Sequence, residues 1–100
     1  MNLVLSIVKQ EKQRIQYMLD RYSIEHNLLP KGSISEKKVG NKTYFYLKYR
    51  DGKRVISKYV SKVNIDEIRS QIEKRKHIEV MIKLLQNELS LAERILEAEL

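Results

Sequence analysis

Residues 40–60 read GNKTYFYLKYRDGKRVISKYV, and the fold class turns on them. Gly40-Asn41 and Asp51-Gly52 are both two-residue hairpin signals, because Gly, Asn and Asp tolerate the positive φ that tight turns demand. Between them lies the run Thr43 to Arg50, and Lys53 to Val60 follows the second turn; both are rich in the aromatic and β-branched residues that favour strands. A shorter run beginning at Ser33 precedes the first turn. The segment therefore predicts three sequential antiparallel strands, a β-meander over residues 32–62.

Two-residue loops fix a register by counting outward. Arg50 then faces Lys53, Leu47 faces Ile56, and Ile34 faces Leu47 from the other side. One sheet face carries Ile34, Phe45, Leu47, Tyr49, Ile56 and Val60, and is expected to be buried. The other carries Lys37, Lys42, Tyr44, Tyr46, Lys48, Arg50, Lys53, Val55, Ser57 and Tyr59.

Outward from the meander the period changes from two to three and four. Val8, Ile15, Met18, Leu19 and Tyr22 mark a helix over residues 3–28, within the segment 1–29, with Asn27 and Pro30 as stop signals. On the other side, Asn64 is a candidate N-cap with Glu67 three residues on, opening a helical segment over 64–100 free of Gly and Pro. Two apolar stripes run along its second half. One is Ile78, Ile82, Leu85, Leu89, Ala92 and Leu96; the other is Met81, Leu84, Leu91 and Ile95. A single antiparallel helix covers one stripe. A homodimer is expected to cover what remains, with Ile78, Met81, Ile82, Leu85, Leu89, Ala92 and Leu96 as its interface. Both stripes could instead be used within one chain. The expected fold is α+β and a single domain over 1–100: N-terminal helix, three-stranded antiparallel β-meander and long C-terminal helix, a helical hairpin with the sheet at its head.

Charge singles out the same middle segment. Residues 31–62 hold ten Lys/Arg against Glu36 and Asp51, whereas residues 63–100 hold six basic and eight acidic groups. A basic field concentrated on one element attracts phosphate, an acidic protein surface or an anionic membrane. A solubilising surface is the plainer reading, since strand edges also use Lys against aggregation.

Catalytic chemistry has little to stand on. There is no cysteine, so disulfides and thiolate-bound zinc are excluded, and a reducing compartment is favoured. His26 and His77 have no companions at metal-ligand spacing. Ser35-Glu36-Lys37-Lys38 matches Ser-x-x-Lys only in a predicted edge strand. The three glycines suit turns or a strand start, and do not form a phosphate loop. No catalytic residue, metal, cofactor or small-molecule substrate is expected, and the protein is read as a binding module. The apolar patch Leu3–Val8 lacks the flanks of a signal peptide, and no run approaches the ~20 residues of a membrane span, so a cytoplasmic protein without membrane attachment is expected.

Gly32-Ser33-Ile34, Tyr44-Phe45-Tyr46-Leu47, Asp51-Gly52-Lys53 and Ser57-Lys58-Tyr59-Val60, followed by a charged helix, resemble an uncharacterised bacterial and archaeal family of domains of unknown function. The resemblance covers roughly residues 30–90 and implies the fold segments, with no activity attached. Some members carry a cysteine cluster between the first strand and the aromatic one. Lys37 to Lys42 occupy that place here, so metal binding does not carry over. The meander is also similar, at the level of fold alone, to the three-stranded DNA-reading domains of phage-type integrases.

These readings lead to a non-catalytic nucleic-acid-binding module. Lys37, Lys42, Lys48, Arg50 and Lys53 would meet phosphates, and Tyr44, Tyr46 and Tyr59 would stack or donate hydroxyls to DNA or RNA. The alternative is a small regulator or inhibitor of the kind phages and mobile elements encode, using the same face on an acidic protein surface. A coiled-coil adaptor with the sheet as a cap is a further alternative.

Overall fold

The computed structural model describes residues 2–98. In order these form α1 (Leu3–Leu28), β1 (Ser33–Val39), β2 (Lys42–Asp51), β3 (Arg54–Val60) and α2 (Ile65–Ala98). The three strands make one antiparallel sheet in the order β1-β2-β3. The α+β class and all five elements agree with the sequence reading.

Helix ends follow local chemistry. The Asn2 side-chain oxygen accepts from the backbone N–H of Val4 at 2.9 Å, an N-cap that the periodicity did not reveal. Pro30 disfavours helical backbone at Leu29, and α1 stops at Leu28. The freed Leu29 carbonyl accepts from the Arg75 guanidinium at 2.7 Å in a part-buried setting. Arg75→Ala is expected to cost about 1.5 kcal/mol in urea unfolding, the low end for a hydrogen bond to a charged group, because water can reach the carbonyl. At the start of α2, Asp66 and Glu67 place negative charge where the helix dipole favours it.

The chain divides into two compact units, residues 29–76 and residues 1–28 with 77–100. The first contains the sheet and the opening turns of α2. Its buried side chains are Val60, Ile65 and Ile72. Arg69 lies 5.3 Å over the Phe45 ring and donates to Glu36 at 3.0 Å, so this part of α2 lies against the Phe45 face of the sheet.

The second unit pairs α1 with the later part of α2. His26 near the end of α1 bonds Glu79 at 2.9 Å. Burial runs back from that link to Ile15 on α1, and forward to Leu85 and Ala92 on α2. This is the pattern of an antiparallel helix pair. Ile78, Leu85 and Ala92 repeat every seven residues and are buried within the single chain. The stripe expected to serve a dimer is thus used internally at these three positions, while Met81, Ile82, Leu89 and Leu96 are half-buried. Among the described residues, the large apolar side chains left exposed on α2 are Val80, Leu84, Leu91 and Ile95.

Candidate nucleic-acid interface

The first hairpin closes on the Val39–Lys42 pair around Gly40-Asn41, and Ile34 faces Leu47 as expected. The second closes one position later than expected. Asp51 pairs with Arg54, so the loop is Gly52-Lys53, Arg50 faces Val55, and Tyr49 rather than Leu47 faces Ile56. Positive φ explains the shift. Gly52 has φ 61°, and among the described residues only glycines have positive φ. A loop of Asp51-Gly52 would require positive φ at Asp51 as well. Placing Gly52 first in the loop, as in a type II′ turn, confines that demand to the glycine.

The correction moves partners by two residues, an even number, so every strand residue keeps its face. Lys53 is the exception: it sits in the turn, off the sheet face to which counting had assigned it. The inner face carries Ile34, Phe45, Leu47, Tyr49, Ile56 and Val60 together with Glu36, Lys38, Thr43, Asp51, Arg54 and Lys58. Beyond the reach of Arg69, its rim is covered by lysines: Lys31 and Lys58 lie 5.8 and 5.5 Å from the Tyr49 ring centre. Neither contact was legible in the period-two pattern.

The outer face gathers Lys37, Lys42, Lys48 and Arg50, all exposed, with Tyr44, Tyr46 and Tyr59. Its remaining strand residues are Ser33, Ser35, Val39, Val55 and Ser57. No carboxylate falls on it, since Glu36 and Asp51 both point to the inner side. At its centre Tyr46 and Tyr59 are direct cross-strand partners, with ring centres 6.0 Å apart and planes at 72°. This edge-to-face contact holds the two rings in place. It turns them differently, so they do not form one continuous stacking platform. Tyr59 is 60% exposed, while Tyr44 and Tyr46 are half-buried.

Among the described residues no three His, Asp or Glu side chains are placed to hold a metal ion. Glu11 accepts two hydrogen bonds from Arg14, at 2.7 and 2.9 Å, and this guanidinium holds its carboxyl below the usual glutamate range. That pair lies exposed on the surface of α1. No helix among the described residues is long and apolar enough to cross a membrane.

Fold and surface define a helix–meander–helix protein with one cationic, tyrosine-bearing sheet face. A family model described as "Domain of unknown function (DUF6788)" matches residues 8–70, more than half of the chain, and the protein belongs to that family. The match runs from α1 through the whole meander into the first turns of α2. It agrees with the resemblance drawn from the sequence. No curated protein and no solved structure matches the chain.

Proposed function

We propose that the protein is a non-catalytic nucleic-acid-binding module that uses the outer face of the meander. One observation carries the reading: the register sorts four cations and no anion onto the face that bears the Tyr46–Tyr59 pair. Lys37, Lys42, Lys48 and Arg50 neutralise phosphates, and Lys53 reaches from the turn at the rim. The tyrosine pair offers one exposed ring to a base or sugar and hydroxyls to the backbone. Because the two rings are not coplanar, charge supplies most of the affinity, and little sequence preference is expected.

Fluorescence anisotropy with labelled single- and double-stranded DNA and RNA across a salt series tests this. If all four cations meet duplex phosphates, log K should fall against log salt with a slope of about −3 to −4. Arg50→Ala should make that slope shallower by about one. Tyr46→Ala/Arg50→Ala should weaken binding at least about tenfold while helical circular dichroism is retained. Absence of binding at low salt defeats the proposal.

A second reading has one specific support. Val39 and Val55 are 55% and 65% exposed on the same outer face, apolar surface that phosphate contacts leave unused. A partner protein with an acidic surface would cover both the cations and these valines. A regulator of that kind would be captured stoichiometrically by one protein target and would ignore free nucleic acid.

A further inference from the structure

β3 is an edge strand of seven residues without proline, paired with β2 in unbroken register from Arg54 to Val60. Its hydrogen-bonding pattern follows from the turn. Asp51 and Arg54 close a two-residue loop and exchange both backbone bonds, and such pairs alternate with non-bonded ones along an antiparallel ladder. Arg54, Ile56, Lys58 and Val60 therefore turn their N–H and C=O groups toward β2. Val55, Ser57 and Tyr59 turn theirs outward, where no group of the described residues bonds them. All three residues are exposed, as are Arg54 and Lys58. The opposite edge of the sheet differs, because Glu36 of β1 accepts a bond from Arg69 and α2 thus reaches that strand.

We propose that β3 is a docking edge for an extended acidic segment of a partner protein, which adds to the meander as a fourth strand. Charge and apolar surface choose the occupant. Residues 53–60 contain Lys53, Arg54 and Lys58 and no carboxylate. Neither Arg54 nor Lys58 forms an ion pair with any described residue, and Arg54 forms none with its cross-strand neighbour Asp51. Both cations lie on the inner side of the strand, so carboxylates at alternate positions of an added strand reach both. On the outer side Val55 and Tyr59 are exposed with only Ser57 between them. Apolar side chains opposite these two form cross-strand pairs. The segment therefore alternates carboxylate and apolar residues, and its backbone takes the free groups of Val55, Ser57 and Tyr59.

The same charges reject a second copy. In each antiparallel register of β3 on β3 that matches the faces, Arg54 or Lys58 falls opposite or diagonal to a cation of the other strand. Edge lysines commonly guard against such pairing, together with prolines and bulges. Here charge acts without the other two, which deters a like strand and leaves the backbone open to an acidic one. The inference stands apart from the nucleic-acid reading, whose cations Lys37, Lys42, Lys48 and Arg50 lie on β1 and β2.

The probe is a labelled, terminally blocked peptide alternating Val and Glu over the length of β3, with a Val-Lys peptide as control. Anisotropy with the full chain should show binding of the Glu peptide that weakens with salt. The Lys peptide should bind at least about tenfold more weakly. Ser57→Pro removes the central outward N–H, which β2 does not use, and should weaken binding at least about tenfold with charge unchanged. Arg54→Glu/Lys58→Glu should reverse the preference in favour of the Lys peptide. Amide hydrogen exchange reads the pairing itself. Saturating Glu peptide should slow exchange at least about tenfold at Val55, Ser57 and Tyr59, and change little at Ile56 and Lys58, which are already bonded to β2. Should Ser57→Pro unfold, the charge reversal and the exchange pattern decide. Absence of binding at low salt overturns the proposal, and so does equal binding of the Lys peptide. Binding that leaves those three amides unprotected, or that a folded Ser57→Pro does not weaken, is a charge contact alone and overturns it too.

Discussion

Gly32→Ala should be among the most destabilising single substitutions in this protein, with a loss of more than about 3 kcal/mol. Gly32 precedes β1 with φ 109°, where an L side chain is strained. A Cβ there would lie 2.1 Å from the Lys48 carbonyl oxygen and 2.9 Å from the Tyr49 Cβ. The obstruction is backbone that cannot swing away, because Lys48 pairs with Ser33 on one side and Ser57 on the other. Relief requires β1 to lift from β2, which also displaces Lys48 on the outer face. The control is internal: Gly40 and Gly52 have φ 63° and 61° with open space where a Cβ would go. Alanine at either should cost about 1 kcal/mol from φ alone. Urea midpoints of the three variants measure the difference. Equal losses at all three would show that close approach contributes nothing at Gly32.

Ile78→Ala is expected to cost about 2–5 kcal/mol, the range for emptying a well-packed aliphatic site. Ile78 is 2% exposed, and of the described residues it is the large side chain most fully enclosed. Leu84→Ala, six residues on and 53% exposed, should stay within about 0.5 kcal/mol. Closely similar losses at the two positions would mean that α1 covers a different stripe of α2.

Much of the fold can be read from local features. The change of period from three-and-four to two and back marks where α1 ends and α2 begins, and Pro30 and Asn64 sharpen both boundaries. Glycine beside Asn41 and Asp51 locates both hairpins. The sorting of Lys37, Lys42, Lys48 and Arg50 away from Phe45 and Leu47 needs only strand parity, and it survives the shifted second hairpin. Asn2 was missed as a cap because hydrophobic periodicity places a helix start only to within a few residues.

The elements, their order and the face each strand residue takes depend on neighbours a few residues away, and so can be read locally. Tertiary structure decided three things. It set the second loop at Gly52-Lys53, because the choice between adjacent loops rests on which residue bears the positive φ. It set the rings of Tyr46 and Tyr59 edge to face, which depends on packing across two strands. It also chose which α2 stripe is enclosed. The two stripes are alike in apolarity along the sequence, and only the side on which α1 packs makes Ile78, Leu85 and Ala92 core while Leu84, Leu91 and Ile95 stay outside.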